Sequence, residues 1–152
     1  MNLWKIQKVR VAAKVLMRGR RIMNGSFFVV SPEYPVPNSV LLLNLLNESH
    51  DYVPVERMKR VALLNKYQII FVKLPAEKTS EEPSGIPRKR IQVLLPTGQE
   101  LKGTISVDLP EENRRVLDFM NLRAPFFLLR DRKELYIVNR SMIQEVHPLE
   151  AG

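Results

Sequence analysis

Residues 42–74, LLNLLNESHDYVPVERMKRVALLNKYQIIFVKL, share a sequence pattern with residues 116–148, VLDFMNLRAPFFLLRDRKELYIVNRSMIQEVHP, at an offset of 74. Working outward, residues 15–32 match residues 93–110 at an offset of 78, and most differing positions exchange one apolar residue for another. The identical pairs are Val15/Val93, Leu16/Leu94, Gly25/Gly103, Val29/Val107, Pro32/Pro110, Leu43/Leu117, Asn47/Asn121, Lys59/Lys133, Asn65/Asn139, Ile69/Ile143 and Val72/Val146. We interpret the chain as a tandem duplication, which constrains fold more than chemistry.

Each repeat begins with a pattern typical of strands. Apolar residues occupy the odd positions from Val9 to Met17, with basic residues between them, and the second repeat has the same phase at 91–95. This alternation predicts a strand with an apolar inner face and a basic outer face. A second strand is predicted at 22–30 and at 101–109, where Gly25 and Gly103 occupy the same position. Glycine inside a strand is typical of a bulge or a sharp bend.

A short helix is predicted next in each repeat, at 40–46 and 114–120. Ser39 is the expected N-cap of the first helix, and Glu111 and Glu112 precede the second. Asn47 and Asn121 are expected to end the helices in the left-handed conformation that asparagine tolerates. Three short strands then follow in each repeat, at 52–56, 61–64 and 69–74, and at 126–129, 135–138 and 143–147. Each repeat therefore reads as β-β-α-β-β-β.

Two sets of motifs carry resemblances to known families. The pattern Val93-x-Leu95-x-x-Gly98-x-x-Leu101-x-Gly103, with Val138-Asn139-Arg140-Ser141-Met142-Ile143, resembles the first and last strand signatures of Sm-like and other SH3-like small barrels. That resemblance implies a mainly β fold of two tandem, pseudo-symmetric small barrels. The elements Leu-x-x-Leu-Leu-Asn at 42–47 and Asn-Lys/Arg-x-x-Ile at 65–69 and 139–143 resemble an uncharacterised family of short bacterial proteins. Neither resemblance assigns a binding residue.

The predicted organisation has four parts. These are an N-terminal arm at 1–8, which contains the only tryptophan, a first barrel repeat at 9–75, a linker at 76–87, and a second barrel repeat at 88–149. The linker, AEKTSEEPSGIP, has no apolar periodicity, which is typical of a flexible connection.

Composition excludes several classes of protein. The chain has 152 residues, a net charge of +8 and no cysteine, so disulfide scaffolds and thiolate metal sites are excluded. Its apolar runs are shorter than the roughly 20 residues that a membrane helix requires, and the N-terminus lacks the apolar region of a signal peptide. We expect no membrane span and a cytoplasmic location.

Chemistry-bearing residues form no recognisable catalytic pattern. His50 lies beside Asp51 in a predicted loop, and His147 ends the last predicted strand. Two histidines without cysteines or a carboxylate cluster give no metal-binding spacing. The acidic pairs Glu81-Glu82 and Glu111-Glu112 are expected to be solvated in the linker and to complement a helix dipole, respectively. We therefore predict a protein that is not an enzyme and needs no metal or cofactor.

The positive charge is concentrated at the N-terminus, because residues 1–32 contain seven basic side chains and no acid. A localised excess of one sign indicates contact with an anionic partner. The predicted binding residues, called here the basic N-terminal face, are Lys8, Arg10, Lys14, Arg18, Arg20 and Arg21. Their partner is an acidic protein, a nucleic acid or an anionic lipid, and the alternative is a solvated face that prevents unwanted strand pairing.

The helix predicted at 40–46 is apolar on nearly every side, which indicates burial on more than one side. We expect it to be clamped between the repeats, or to present Leu41, Leu42 and Leu45 to a partner chain, including a second copy in a homodimer. Arg88-Lys89-Arg90 is interpreted as a solvated hinge. The phenylalanines at 27, 28, 126 and 127 fall at apolar strand positions and are expected in the core.

Together these features favour a non-catalytic adaptor or assembly protein. It would bind a protein partner through the basic N-terminal face and the apolar helix surface. The alternative is a small-barrel protein that binds RNA or DNA through the same cations. Both hypotheses place the binding site in the first repeat.

Overall fold

The structure, a computed structural model, describes residues 8–77, 85–113 and 115–149. In these ranges the chain forms ten strands, two α-helices and three short 3₁₀ turns. We call the described residues before residue 78 the first segment (8–77) and those after residue 84 the second segment (85–113 and 115–149). The elements of the first segment are β1 (Lys8–Met17), β2 (Met23–Val30), α1 (Asn38–Leu46), β3 (Tyr52–Arg57), β4 (Arg60–Asn65), a 3₁₀ turn (Lys66–Gln68) and β5 (Ile69–Pro75). Those of the second are β6 (Arg88–Leu94), β7 (Glu100–Ser106), a 3₁₀ turn (Glu111–Asn113), α2 (Val116–Met120), β8 (Phe126–Arg130), β9 (Glu134–Asn139), a 3₁₀ turn (Arg140–Met142) and β10 (Glu145–Leu149).

All ten strands belong to one open antiparallel sheet, in the order β10-β6-β7-β8-β9-β5-β1-β2-β3-β4. The prediction of two tandem Sm-like or SH3-like barrels is therefore wrong. β5 pairs with β1 on one side and with β9 on the other, where Phe71 lies opposite Val138 and Leu74 opposite Leu135. β5 therefore joins the strands of the first segment to those of the second. The two edge strands of the sheet are β4 and β10.

The helix predicted at 114–120 in the second repeat is also wrong in its extent. α1 has nine residues, whereas α2 has five and follows a separate 3₁₀ turn that contains Glu111 and Glu112. At the start of α1 the N–H of Ser39 donates to Glu77 Oε1 at 2.8 Å. α2 begins instead with a reciprocal contact between Arg115 and Asp118.

The predicted helix caps differ from the observed ones. α1 begins at Asn38, and Ser39 lies inside its first turn, where the side chain makes no capping hydrogen bond. Asn47 and Asn121 both end their helices with φ of −93°, outside the left-handed region. Among the described residues other than glycine, positive φ occurs at Met58 and Lys59, in the tight turn between β3 and β4. The asparagines act through their side chains instead of their backbone conformation.

Two hydrophobic clusters fill the two halves of the molecule. The first cluster contains apolar side chains of β1, β2, α1, β3, β4 and β5, together with Phe126, Leu135 and Ile137 from the second segment. The second cluster contains side chains of β6, β7, α2, β8 and β9, together with Leu16, Ile70 and Phe71 from the first segment. Phe27, Phe126 and Phe127 are buried as expected, and Phe28 is half-buried. Each segment therefore completes the core of the other.

The glycines predicted to mark bulges or bends instead allow close approach of neighbouring strands. A Cβ added at Gly103 would lie 2.6 Å from the carbonyl oxygen of Arg130, and one added at Gly25 would lie 2.6 Å from Val55 Cγ1. Both positions face the next strand in their half of the sheet, so a side chain there would push two strands apart.

The predicted domain boundaries, 9–75 and 88–149, remain predictions. Most of the N-terminal arm, with Trp4, and residues 78–84 of the linker lie outside the described residues. The described ends of the linker are hydrogen-bonded: the N–H of Ala76 donates to Lys133 O at 3.0 Å, and the N–H of Val107 donates to Pro87 O at 2.8 Å. No helix in the described ranges is long and apolar enough to cross a membrane.

Candidate anion-binding site

The basic N-terminal face is partly formed by β1. Val11, Ala13 and Val15 are buried, and the exposed residues between them include Lys14. Lys8 and Arg10 are also exposed, at the beginning of the strand. The strand ends at Met17, and a register shift between Leu16 and Met17 interrupts its pairing with β5. Arg18, Arg20 and Arg21 are exposed beyond the strand. Arg18 therefore lies beyond the strand that carries Arg10 and Lys14.

The charge of Arg10 is balanced by a carboxylate on a neighbouring strand. Its Nη1 donates to Glu56 Oε1 at 3.0 Å, and its guanidinium lies 5.6 Å from the centroid of the Phe28 ring. An exposed pair of this kind contributes little stability, but it lowers the positive potential that an anion would meet.

Lys14 lines a groove of about 650 Å³ around Gly25, called here the Gly25 groove. Lys73 lies opposite Lys14 on β5, and its Nζ is 3.5 Å from Glu134 Oε1. The charged residues that line the groove are Lys14, Glu56, Arg57, Lys73 and Glu134. Three cations and two carboxylates leave this groove with little excess charge.

A second groove, of about 690 Å³, surrounds Gly103 and is called here the Gly103 groove. It is lined by five cations and one carboxylate: Arg88, Arg90, Lys102, Arg130, Arg132 and Asp131. The concentration of like charge in one concave site makes the Gly103 groove the strongest candidate for binding an anion.

Strand alternation and register bring these cations together. Ile91 and Val93 are buried on the inner face of β6, so Arg88 and Arg90, which alternate with them, face outward. Thr104 of β7 lies opposite Arg90 on one side and Arg130 on the other. The two guanidinium groups therefore belong to β6 and β8, the strands that flank β7 in the sheet. Gly103 makes this possible, because its missing side chain lets β8 approach β7.

The two grooves occupy matching positions in the sequence pattern but differ in charge. At an offset of 78, Ala12 and Asn24 match Arg90 and Lys102; at an offset of 74, Glu56 and Met58 match Arg130 and Arg132. Four neutral or acidic positions of the Gly25 groove are thus cations in the Gly103 groove. Sequence reasoning missed this site because it judged Arg88-Lys89-Arg90 as a single run. The sequence did contain a signal for this site: strand alternation turns Arg88 and Arg90 outward, and Lys102 lies on the strand that follows.

The apolar helix surface is largely turned inward. Leu42 is fully buried in the first cluster, and Leu41 and Leu45 are half-buried against it. Leu41 and Leu45 also line a groove of about 310 Å³, together with Lys8, Val30 and Tyr52. Leu42 is therefore not accessible to a partner, and the position of α1 favours the clamp between the segments over a free apolar surface.

The acid–base candidates lie apart from one another. His50 and Asp51 are exposed, and a hydrogen bond with Asp51 is the main cause of a raised pKa at Tyr67. His147 Nε2 lies 3.5 Å from Glu145 Oε2 on the exposed strand β10. In the described part of the chain, no group of three or more histidine and carboxylate side chains could hold a metal ion. Glu81 and Glu82 lie outside the described residues.

Two other polar groups stabilise the structure. The guanidinium of Arg140 lies 4.8 Å and 4.9 Å from the ring centroids of Phe119 and Phe127, and donates to the carbonyl oxygens of Phe119 and Ala124. Burial lowers the pKa of Arg140 to about 10. The buried Asn139 side chain donates to Ile69 O at 2.9 Å and accepts from the N–H of Ser141 at 3.1 Å. Asn139 thus starts a 3₁₀ turn and joins the two segments.

Comparison with known proteins adds no further assignment. No protein-family model, no curated protein and no solved structure was found to match the chain. The resemblance to an uncharacterised bacterial family therefore remains a prediction.

Proposed function

We propose that the protein is a non-catalytic adaptor that binds an acidic segment of a partner protein in the Gly103 groove. The observation that carries this proposal is the ratio of five cations to one carboxylate in a single concave site. The groove replaces the basic N-terminal face as the main candidate site, because Glu56 pairs with Arg10 on that face and two carboxylates offset the cations of the Gly25 groove. The absence of cysteine is compatible with the cytoplasmic location that we also propose.

The size of the groove favours a short segment. The cations lie on three adjacent strands and the turn after them, and neighbouring strands are about 4.8 Å apart. A nucleic-acid duplex needs cations along a longer track, because its affinity grows with the number of phosphates contacted. None of the described residues that line the Gly103 groove is aromatic, so the groove offers no stacking surface for unpaired bases.

Nucleic acid is the second candidate partner. Four of the five cations are arginines, whose planar guanidinium groups can pair with phosphate oxygens through two parallel hydrogen bonds. Salt weakens binding to either partner, so the salt dependence alone does not separate the two candidates.

The test is to measure the binding of fluorescently labelled ligands by anisotropy over a salt series. The ligands are a Glu- and Asp-rich peptide, a neutral peptide of the same length, and single- and double-stranded RNA and DNA. We expect binding of the acidic peptide that weakens with salt. Binding of nucleic acid without binding of the acidic peptide would replace the first candidate with the second, and no binding at low salt would contradict both.

A matched pair of variants locates the site. Arg90→Glu with Lys102→Glu reverses two charges in the Gly103 groove, and Arg10→Glu with Lys14→Glu reverses two charges on the basic N-terminal face. All four side chains are outward-facing, so both proteins should fold. We expect only the first variant to lose binding. Equal losses would indicate attraction by net charge and would contradict a specific groove.

A further inference from the structure

The junction between β5 and β9 shows how one segment covers the edge of the other. The two strands pair antiparallel from Phe71 opposite Val138 to Pro75 opposite Glu134. On the inner face, Phe126, Leu135 and Ile137 pack into the first cluster and are only 1%, 2% and 0% exposed. The half-buried Leu128 packs against the same cluster. These four side chains of β8 and β9 are thus buried against the first segment.

The matching residues of the first segment are exposed. At an offset of 74, Tyr52, Val61 and Leu63 match Phe126, Leu135 and Ile137, and they are 58%, 60% and 67% exposed. β4 is the last strand of the sheet, and no described strand pairs with its outer edge. Large apolar side chains on an unpaired edge strand are typical of a surface that another chain covers.

The other end of the sheet offers the complementary edge. β10 pairs with β6 alone among the described strands, and residues 145–149 match residues 71–75 of β5 at the same offset. In the same half of the molecule, Leu117 on α2 is 60% exposed, whereas the matching Leu43 on α1 packs against the first cluster. The free edge of β10 therefore matches the edge of β5 that carries β9.

One polar contact shows the same difference. The side chain of Asn47 donates to Phe126 O and accepts from the Phe126 N–H, which fixes the start of β8 against the end of α1. The matching Asn121 is exposed and donates to Leu117 O within its own helix. Asn121 matches Asn47, and Tyr52 matches Phe126. The partner that corresponds to Phe126 is therefore Tyr52, and it would have to come from another chain.

We propose that a second copy of this chain adds its β4 edge to the β10 edge of the first, in the arrangement that β9 and β5 adopt within one chain. The corresponding register places Leu63 opposite Val146 and Val61 opposite Pro148. The partner is a second copy because the two unpaired edge strands of one molecule, β4 and β10, match β9 and β5, which pair with each other within the chain. This inference goes beyond the proposed adaptor function and uses no residue of the Gly103 groove.

The two interacting surfaces differ, so the assembly is head-to-tail and forms a closed ring or an open chain of copies. The junction between copies is weaker than the one between β5 and β9. Where β5 has Phe71 and Leu74, β10 has Glu145 and Pro148, and the proline lacks an N–H for strand pairing. The assembly should therefore depend on protein concentration.

The test uses sedimentation velocity over a wide range of concentrations with three single variants. Leu63→Lys changes the β4 edge and Pro148→Lys changes the β10 edge. Tyr34→Lys is the control, since Tyr34 is 71% exposed and lies outside both edges. All three positions are exposed, and circular dichroism verifies that each variant folds.

We expect the wild type and Tyr34→Lys to associate as concentration rises, while Leu63→Lys and Pro148→Lys each stay monomeric. A mixture of those two variants should form a heterodimer and nothing larger, because one working edge remains on each molecule. A monomeric wild type would overturn the proposal, and so would association of either edge variant alone. Absence of a complex in the mixture would exclude the head-to-tail arrangement.

Discussion

Asn47 and Phe126, 79 residues apart in the sequence, are joined by two hydrogen bonds. Nδ2 of Asn47 donates to the carbonyl oxygen of Phe126 at 3.1 Å, and Oδ1 accepts from the Phe126 N–H at 2.8 Å. One asparagine side chain thus satisfies both backbone groups of the residue that begins β8. The contact fixes the second segment of the chain against the helix of the first.

Replacing Asn47 should therefore destabilise the whole molecule. Asn47→Ala leaves the N–H and C=O of Phe126 without their partner in a half-buried site, which costs about 1–3 kcal/mol of the free energy of unfolding. Urea denaturation measures the change. Asn44→Ala is the control, because Asn44 is exposed on the same helix. Equal effects of the two substitutions would contradict the role assigned to Asn47.

Gly103→Ala should cost more stability than Gly25→Ala. The new Cβ at 103 meets a backbone oxygen, that of Arg130, which can move only if β7 and β8 separate. The Cβ at 25 meets the side chain of Val55, which has other rotamers. We expect a loss of about 1–3 kcal/mol for Gly103→Ala and a smaller loss for Gly25→Ala, measured by thermal unfolding. The reverse order would contradict the close approach at Gly103.

Arg140→Lys should be destabilising although it keeps the positive charge. Lysine cannot reproduce the planar guanidinium that lies over Phe119 and Phe127 and donates to two carbonyl oxygens. We expect a loss of about 1–3 kcal/mol in the free energy of unfolding. Arg123→Lys, at an exposed position before β8, provides the control and should leave stability unchanged. A neutral result at 140 would show that charge alone matters there.

Asp118 should titrate at a lower pH than an ordinary aspartate. The hydrogen bond from the Arg115 side chain is the main cause of a lowered pKa at Asp118. A lowered folded-state pKa contributes stability above the ordinary value of 3.8, and this contribution is lost as the pH falls through the folded-state pKa. Carboxyl NMR titration measures the value. In Arg115→Gln we expect the pKa of Asp118 to rise, and an unchanged value would contradict the assignment.

The sequence predicted the strand phases well but not the strand partners. The first strand was expected from Val9 to Met17 and extends from Lys8 to Met17; the strand expected at 69–74 ends at Pro75. Alternation shows which face of a strand is buried, because that face carries the apolar residues. It does not show which edges meet, since backbone groups pair with any suitable strand. The junction of β5 with β9, and with it the open sheet, therefore had to be observed.

The candidate site was missed for a related reason. The basic N-terminal face was found because its cations are close together in the sequence, whereas the Gly103 groove collects Arg90, Lys102 and Arg130 from three strands. The sequence also did not show which carboxylates neutralise these cations. Glu56 is far from Arg10 in the sequence, and only the sheet brings them within 3.0 Å. Net charge summed along the sequence therefore did not reveal the Gly103 groove.

Backbone NMR during titration with a Glu- and Asp-rich peptide tests the central claim most directly. We predict that the amide signals of Arg90, Lys102 and Thr104, in the Gly103 groove, shift progressively. The amide signals of Arg10, Lys14 and Asn24, on the basic N-terminal face and in the Gly25 groove, should not shift. Shifts confined to the second set, or no shifts at low salt, would contradict binding in the Gly103 groove.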